Sequence, residues 1–150
     1  MNEERVFRLD RVTLEERLPE FMQVERDFPE EKWFPENYLK EVPGKWDLSL
    51  YYEIDQKVTG FLIGSLMRGQ NIATLHRLMV DQNYRDRGIG TILYSEFENL
   101  CKERTEINTI TLQVRHSNKE AIAFYKRNGY IVTEAVPGEM PRYVMEKKLS

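Results

Sequence analysis

The chain has 150 residues, the length of one ordinary domain. Its 22 Lys and Arg residues are outnumbered by 25 Asp and Glu residues, so no basic excess points to a nucleic-acid partner. The single cysteine, Cys101, excludes an intramolecular disulfide and favours a cytoplasmic location. The charged N-terminus is unlike a signal peptide, and no apolar run is long enough to span a membrane. We therefore expect one domain over residues 1–150, with neither a nucleic-acid nor a membrane partner.

A first strand, at residues 6–10, is predicted to lead into a helix. Thr13 and Glu16 have the spacing of a capping box, which predicts a helix from there to about residue 25. Pro19 falls inside this helix and predicts a kink or break, because proline lacks the backbone N–H that helical bonding needs. Three further prolines then predict a loop that holds only a short helix, at residues 35–40.

Strands of apolar and β-branched residues make up most of the remaining sequence. They are predicted at residues 47–54, 57–67, 72–80, 109–114, 130–136 and 142–149. Residues 68–71 have the composition of a hairpin turn. Apolar residues at three- and four-residue steps predict a helix at residues 88–104, with Cys101 as a packing residue, and another at 118–128 that Gly129 ends. This order predicts a mixed sheet of about seven strands flanked by about four helices, in the α/β (α+β) class.

The sequence RDRGIG, residues 85–90, lies where a strand is predicted to end and a helix to begin. The first N–H groups of a helix lack intrahelical partners and carry the positive end of its dipole, so they attract anions. Glycines would let a phosphate approach the backbone, and Arg85, Arg87 and Thr91 could add donors. From the spacing alone, a plain strand-to-helix turn is an equally good interpretation. The sequence fits neither the P-loop pattern GxxxxGK[ST] nor the dinucleotide pattern GxGxxG.

A second informative stretch, VRHSNKEAIAFYKRNGY, covers residues 114–130. Ser117 and Glu120 have capping-box spacing, which predicts Asn118 in the first helical turn with its amide free to meet a ligand. Four residues at steps of three and four are predicted to share one face of this helix: Asn118, Ala121, Ile122 and Tyr125. For each residue alone, an ordinary packed amphipathic helix is the simpler interpretation.

Together, the two stretches resemble the GNAT superfamily of acyl-CoA-dependent N-acetyltransferases. The pyrophosphate loop of that family, (Gln/Arg)-x-x-Gly-x-(Gly/Ala), matches RDRGIG, which follows a strand ending in LMV. The later family motif, an asparagine, a helical tyrosine and a glycine–aromatic pair, matches Asn118, Tyr125, Gly129 and Tyr130. The resemblance is strong over residues 75–130, and the order of elements extends it over nearly the whole chain. The second stretch looks most like the branch that acetylates protein N-termini, which includes the ribosomal-protein alanine acetyltransferases.

The resemblance implies an acetyl-CoA site, without a metal, in a centrally splayed sheet. The strands at residues 72–80 and 109–114 would separate to admit the pantetheine arm, and a backbone N–H near Leu78 would polarise the thioester carbonyl. The implied coenzyme-binding residues are Leu78, Met79, Val80, Arg85, Asp86, Arg87, Gly88, Ile89, Gly90, Thr91, Asn118, Ala121, Phe124, Tyr125 and Arg127.

The implied reaction is direct attack of a neutral amine on the thioester, with no covalent enzyme intermediate. Tyr125 is the candidate general acid, because a phenol can give a proton to the departing thiolate. His76 is the candidate base, because imidazole titrates near neutrality and strand alternation places it on the face of Leu78 and Val80. Glu53 is a weaker alternative, and so are His116 and water.

Residues 25–45 are expected to form part of the acceptor wall, as the corresponding segment does in relatives. Acidic and aromatic residues alternate there: Asp27, Phe28, Glu30, Glu31, Trp33, Phe34, Glu36 and Tyr38. Such a surface suits a cationic amine, although a solvated loop whose aromatics cover the core explains the same pattern. A protein N-terminus, a lysine or a small-molecule amine would fit. The last hairpin carries one tyrosine, Tyr143, where relatives that act on N-termini often have a pair.

The enzyme is expected to work as a monomer or homodimer. Two other classes of function remain alternatives to an enzyme. One is a non-catalytic acyl-CoA-binding or regulatory module on the same fold. The other is a generic nucleotide-binding protein.

Overall fold

The computed structural model describes residues 3–28, 32–67 and 71–149. Its strands are β1 (Glu4–Arg8), β2 (Leu50–Ile54), β3 (Lys57–Leu66), β4 (Ile72–Val80), β5 (Thr109–Arg115), β6 (Ile131–Val136) and β7 (Arg142–Lys148). Its helices are α1 (Arg11–Glu16), α2 (Leu18–Val24), α3 (Pro35–Leu39), α4 (Lys45–Leu48), α5 (Ile89–Glu103) and α6 (Lys119–Arg127). Apart from Asn71, the turn predicted at residues 68–71 lies outside the described residues, as do Glu30 and Glu31.

The strands form one seven-stranded sheet in the order β1-β2-β3-β4-β5-β7-β6. Within the described ranges, β4 and β5 are the one parallel pair, and the other neighbours are antiparallel. This arrangement confirms the predicted mixed sheet and fold class. The parallel pair lies at the centre of the sheet, with strands on both sides of it.

Helices cover both faces of the sheet and bury two separate apolar clusters. On one face, the apolar stripe of α5 packs with α6 against the sheet, and Leu93 and Phe97 are fully buried. On the other face, α2 and α3 cover β3, and Phe21, Tyr38 and Phe61 are fully buried. Over the described ranges, no helix is long and apolar enough to cross a membrane.

The first predicted helix is two helices, and its predicted cap is wrong. The chain breaks at Arg17, and Pro19 lies in the first turn of α2, where a missing N–H costs no helical bond. Asp10 rather than Thr13 caps α1, because its carboxylate oxygen accepts the Thr13 N–H at 2.8 Å. A carboxylate one turn earlier competes with the hydroxyl that the capping-box pattern favours.

The strand predicted at residues 47–54 begins later than expected. Gly44, with φ of 72°, starts the short helix α4, which ends at Leu48 before β2 begins at Leu50. Leu48 is fully buried, so this helical turn is held by packing rather than by helix propensity. The residues of α4 resemble the adjoining strand in composition, so the sequence did not show the boundary between α4 and β2.

Candidate active site

The parallel strands β4 and β5 separate halfway along their length. Their pairing covers Ile72–Leu75 against Thr109–Leu112, whereas β4 continues to Val80 and β5 to Arg115. β4 stays paired with β3 up to Val80, and β5 stays paired with β7 up to Arg115. In the described part of the chain, the facing edges of the two separated halves therefore have no strand partner, and alternate N–H and C=O groups point into the gap.

A β-bulge lies where β4 leaves β5. Arg77 pairs with Ile63 and Leu75 pairs with Gly64, so His76 is the extra residue. Bulges bend a strand and increase its twist, which accounts for the separation starting here. The bulge also breaks side-chain alternation, because Leu75 and Leu78 pack on the same core although three positions separate them. The prediction that His76 shares a face with Leu78 and Val80 is therefore wrong.

A cavity of about 620 Å³ lies at this gap. Side chains and backbone from β4, the following loop, the start of α5, the end of β5 and α6 line it. The lining residues predicted from the sequence are Leu78, Met79, Val80, Arg85, Asp86, Gly88, Ile89, Gly90, Thr91, Asn118, Ala121, Phe124 and Tyr125. Two residues predicted for coenzyme binding, Arg87 and Arg127, lie outside the lining. The two distant sequence stretches thus meet in one cavity.

The start of α5 offers backbone donors to this cavity. The first helical bond runs from the Ile92 N–H to the Gly88 carbonyl, so the three preceding N–H groups, those of Ile89, Gly90 and Thr91, point out of the helix end. A Cβ on Gly88 would meet no atom within 4 Å, and one on Gly90 would meet only Val80, at 3.7 Å. The space above these N–H groups is therefore open, and a phosphate fits where a larger side chain would stand.

The loop before α5 takes a shape that few sequences tolerate. Asp86 has φ of 65° and Gly88 has φ of 79°, both in the left-handed region. Gly88 takes this conformation without cost, whereas a Cβ there would be strained. The loop follows a short 3-10 turn, Gln82–Tyr84, which the buried Asp81 carboxylate caps through the Asn83 N–H at 2.9 Å.

Asp81 also ties the loop before α5 to the segment that follows α2. Arg26 donates to both of its carboxylate oxygens, at 2.8 and 3.2 Å. Burial alone would raise the pKa of Asp81, but the hydrogen bonds from Arg26 and the Asn83 N–H outweigh it and hold the pKa below its usual range. The carboxylate therefore remains charged at neutral pH, and the loop is fixed at its first residue.

Cations and aromatics surround the mouth of the cavity. The guanidinium of Arg85 lies 4.7 Å from the centre of the Phe28 ring and 3.6 Å from the Glu120 carboxylate. Arg87 lies over Tyr84, at 5.2 Å. Arg115, from the end of β5, is a further cation in the lining. Arg85 and Arg115 therefore place two cationic side chains in the cavity lining.

The helix α6 begins differently from the prediction. Asn118 is its N-cap, and its side-chain oxygen accepts the Ala121 N–H at 3.1 Å, so the predicted Ser117–Glu120 capping box is wrong. The amide oxygen of Asn118 is consequently committed to the helix rather than free for a ligand. Tyr125 lies two turns along the same face, is 7% exposed, and packs between Phe124 and Tyr130.

The residues nominated as bases lie outside the cavity lining. The Nε2 atom of His76 is 2.6 Å from the Ser65 hydroxyl oxygen. Although part of the residue is exposed, burial of its ring lowers the pKa of His76 below 6.5, and the charges of Lys45 and Lys40 lower it further. Glu53 accepts a hydrogen bond from Arg17 at 2.5 Å, and His116 packs on Tyr143 with ring centres 5.0 Å apart.

In the segment expected to form the acceptor wall, some of the aromatic residues cover the core, as the alternative interpretation expected, while Asp27 and Glu36 are exposed. Tyr38 is fully buried, so it belongs to the core rather than to an open cleft. Trp33 packs edge-on against Tyr38, and Arg77 lies over its indole ring at 5.1 Å. Glu25, also buried, accepts from Arg77 at 3.1 Å and is thereby neutralised. Asp27 and Phe28 line the cavity, and Phe34 is exposed.

Six residues that line the cavity were not among the predicted coenzyme contacts: Asp27, Phe28, Tyr84, Arg115, Ser117 and Glu120. Asp27 and Phe28 come from the loop after α2, which packs across the sheet from α6, and no local pattern predicts that approach. Arg115 gave a usable signal, because it directly follows the strand predicted at residues 109–114 and lies within the stretch that carries the Asn118 motif. Among the described residues, no group of three or more His, Cys, Asp or Glu side chains could hold a metal ion.

Comparison with known proteins identifies relatives of the sequence. One relative is an uncharacterized N-acetyltransferase of Methanocaldococcus jannaschii, 35% identical over 91 residues, a match that spans 57% of the chain and only 40% of that protein. Another is the [ribosomal protein bS18]-alanine N-acetyltransferase of Salmonella typhimurium, 28% identical over 113 residues, spanning 75% of the chain and 74% of that protein. The second match confirms the predicted similarity to the N-terminal acetyltransferase branch.

Solved structures share the fold, and a family model matches the sequence. The ribosomal-protein-S18-alanine N-acetyltransferase of Escherichia coli superposes with a TM-score of 0.81 at 22% identity, covering 99% of this chain and 95% of that one. The PaiA N-acetyltransferase of Thermoplasma acidophilum, solved in complex with coenzyme A, gives 0.73 at 22% identity, covering 98% and 99%. The family model "Acetyltransferase (GNAT) family" matches residues 12–130. The chain therefore belongs to the GNAT acetyltransferase family.

Proposed function

We propose that this protein is an acetyl-CoA-dependent N-acetyltransferase that acts on a primary amine in a ternary complex. The observation that carries the proposal is a single cavity with three features. The start of α5 offers N–H groups that suit an anion, the end of β4 has an unpaired edge, and the side chain of Tyr125 lies in the lining. Family membership supports the same activity, and so does a relative of the same fold that was solved with coenzyme A. A non-catalytic acyl-CoA-binding module would need the first two features but not Tyr125 in the same cavity.

On the donor side of the proposed site, different groups would bind different parts of acetyl-CoA. The N–H groups of Ile89, Gly90 and Thr91 would bind the pyrophosphate, with Arg85 as a charged partner. The free edge of β4 from Leu78 to Val80 would pair with the amides of the pantetheine arm, much as a strand adds to a sheet. Arg87 and Arg127 stay predicted contacts, although both lie outside the cavity lining.

When bound, acetyl-CoA supplies a thioester: the amine nitrogen bonds to its acyl carbon, the carbon–sulfur bond breaks, and the sulfur leaves as a thiolate. Tyr125 would donate its phenolic proton at the cavity wall to that sulfur. A backbone N–H near Leu78 would stabilise negative charge on the acyl oxygen. The proton lost by the amine passes to a base or to water, so one proton leaves the amine and one reaches the sulfur.

Replacing Arg85 with methionine is expected to weaken coenzyme A binding about tenfold, the loss of one charge-assisted contact to a phosphate. Binding of pantetheine, which lacks the pyrophosphate, should be unchanged. Isothermal titration calorimetry with both ligands measures the difference. Arg104→Met is a matched control, because Arg104 caps the opposite end of α5 and pairs with Asp47 and Glu106. Equal losses for both ligands would contradict the assignment of Arg85 to the pyrophosphate.

The assignment of His76 as the base stays a prediction, and its pH dependence tests it. The imidazole must be neutral to accept a proton, and its pKa is lowered, so kcat should fall only as pH drops below 6.5. His76→Gln should abolish this acidic limb and lower kcat about 10²-fold or more. His116→Gln, assayed in parallel, tests the alternative imidazole. A limb that survives in both variants would leave water or Glu53 as the proton acceptor.

The acceptor is proposed to be a primary amine, with a polypeptide N-terminus as the first choice. Similarity to the Salmonella enzyme, whose name specifies an alanine of a ribosomal protein, supports this choice. The neutralised Glu25–Arg77 pair gives the acceptor side little net charge, so a strongly cationic polyamine is a poorer fit.

Initial-rate kinetics tests the ternary complex. Coenzyme A release is followed by its free thiol while donor and acceptor concentrations vary. Direct transfer predicts double-reciprocal lines that intersect. Parallel lines would indicate an acetylated enzyme intermediate instead. No thiol release above the uncatalysed background with any peptide, polyamine or small amine would favour the non-catalytic alternative.

A further inference from the structure

Four aromatic rings form a closed cycle behind the cavity. Tyr94 of α5 contacts Phe124, Phe124 contacts Tyr125, Tyr125 contacts Tyr130, and Tyr130 contacts Tyr94, with ring centres 5.4 to 6.0 Å apart. The proposed reaction uses only one corner of this cycle, Tyr125. The other two tyrosines are 2% exposed and reach neither coenzyme nor acceptor through the cavity lining.

The hydroxyl groups of the two remaining tyrosines are joined and anchored. The Tyr94 oxygen lies 3.0 Å from the Tyr130 oxygen and 3.1 Å from a carboxylate oxygen of Glu98. Lys147, at 2.5 Å, and Lys102, at 3.3 Å, hold the same carboxylate. Burial alone would raise the pKa of Glu98, but these partners outweigh it and keep the pKa below its usual range. The chain of hydroxyls therefore ends on an ionised group.

One proton per hydroxyl gives this chain two arrangements. When Tyr94 donates to Glu98, Tyr130 donates to Tyr94. When Tyr94 donates to Tyr130, the O–H group of Tyr130 no longer donates to Tyr94 and can rotate away from it. The other neighbouring tyrosine is Tyr125, whose ring centre is 5.5 Å from that of Tyr130. The hydroxyl proton of Tyr130 can thus point toward Tyr94 or away from it without any movement of the rings.

The groups that face Tyr130 keep it neutral. Burial is the largest cause that raises the pKa of Tyr130. The charge and hydrogen bond of Tyr94 raise this pKa further, and the charges of Tyr125 and Cys101 add smaller contributions. The thiol of Cys101 is itself neutral, because burial raises its pKa to about 12. Tyr130 therefore keeps its O–H dipole throughout the pH range in which the protein is assayed.

We infer that Tyr130 is a positioning residue for Tyr125. Its ring fixes the orientation of Tyr125, and its hydroxyl, governed by Tyr94 and Glu98, stabilises the phenolate that Tyr125 becomes after giving up its proton. The family motif asks only for an aromatic residue after Gly129, so the hydroxyl is a feature of this chain. The inference rests on the proposed function, in which Tyr125 is the general acid.

Removing one hydroxyl at a time tests this inference. Tyr130→Phe keeps the ring but removes the dipole, which makes Tyr125 a weaker acid. We expect kcat to fall about tenfold, the loss of one hydrogen bond to a charged group, with KM for acetyl-CoA unchanged and the basic limb of the kcat–pH profile moved to higher pH. Tyr94→Phe should move that limb to lower pH, because Tyr130 then has only Tyr125 to donate to. Tyr52→Phe, another buried tyrosine hydroxyl on β2, is the control and should change neither.

A second readout does not depend on turnover. Tyrosines labelled with carbon-13 at Cζ report ionisation by NMR, and the Tyr125 signal is the one missing in Tyr125→Phe. In the unloaded protein, its titration should move to higher pH in Tyr130→Phe and to lower pH in Tyr94→Phe. Titrations and kcat profiles identical to wild type in both variants would overturn the inference. If Tyr125→Phe itself keeps full activity, the failure belongs to the proposed acid and not to Tyr130.

Discussion

Tyr125→Phe is expected to lower kcat about 10²- to 10³-fold, the usual contribution of a general acid. The phenyl ring keeps its packing against Phe124 and Tyr130, so the cavity and the coenzyme site should be intact. Affinity for coenzyme A should therefore stay within about twofold, because the lost hydroxyl acts on the reacting sulfur rather than on binding. Steady-state kinetics gives kcat, and calorimetry gives the dissociation constant.

Two other outcomes of this substitution are informative. Unchanged turnover would remove Tyr125 from the mechanism without removing catalysis. Equal losses in kcat and in coenzyme affinity would indicate a structural role. Tyr52→Phe shows what the loss of a buried hydroxyl does elsewhere in the same core, and it should leave both quantities as they are.

Arg77→Met is expected to lower the free energy of unfolding by about 3–5 kcal/mol, because it leaves the carboxylate of Glu25 buried without its charged partner. Glu25 is 2% exposed, and it also accepts a hydrogen bond from the Trp33 N–H at 2.7 Å. Methionine preserves apolar contact with Trp33, so the effect isolates the charge. For a chain of this length the melting temperature should fall by roughly 10 °C. Chemical denaturation measures the free energy directly.

Two comparisons make this result interpretable. Arg5→Met removes an exposed arginine from β1 and should cost less than about 1 kcal/mol. The double variant Glu25→Gln with Arg77→Met should recover much of the loss, since no uncompensated charge stays buried. A single variant as stable as wild type would mean that water or another group replaces Arg77, and that the ion pair does not hold the α2–α3 loop on the sheet.

Local patterns predicted the elements well where glycine marks their ends. Gly88 and Gly129 both have positive φ. Gly88 lies at the start of α5 and Gly129 just after the end of α6, and both helices match the prediction to within one residue. Prediction failed where two side chains compete for the same cap, as at Asp10 and Asn118. In both places the winning group is an Asp or Asn that the serine/threonine pattern does not consider.

Most of the residues predicted to bind the coenzyme line one cavity in the structure. Spacing along the chain left their role open, and the resemblance of two separate motifs to one family singled them out. His76 was placed on the wrong face, because a single bulge shifts every later side chain and leaves no mark in the sequence. The sequence left two interpretations of Tyr38 open, a residue of the acceptor wall or a residue that covers the core, because composition does not reveal which side of a short helix meets the core. The structure buries Tyr38.

Mass analysis of an acceptor peptide after incubation with the protein and acetyl-CoA tests the central claim most directly. We expect the peptide to gain one acetyl group on its amine, in equal amount to the coenzyme A thiol released, and we expect Tyr125→Phe to slow both together. Tight binding of coenzyme A with no acetylated product, over peptides, polyamines and small amines alike, would contradict an N-acetyltransferase and leave a binding module on this fold.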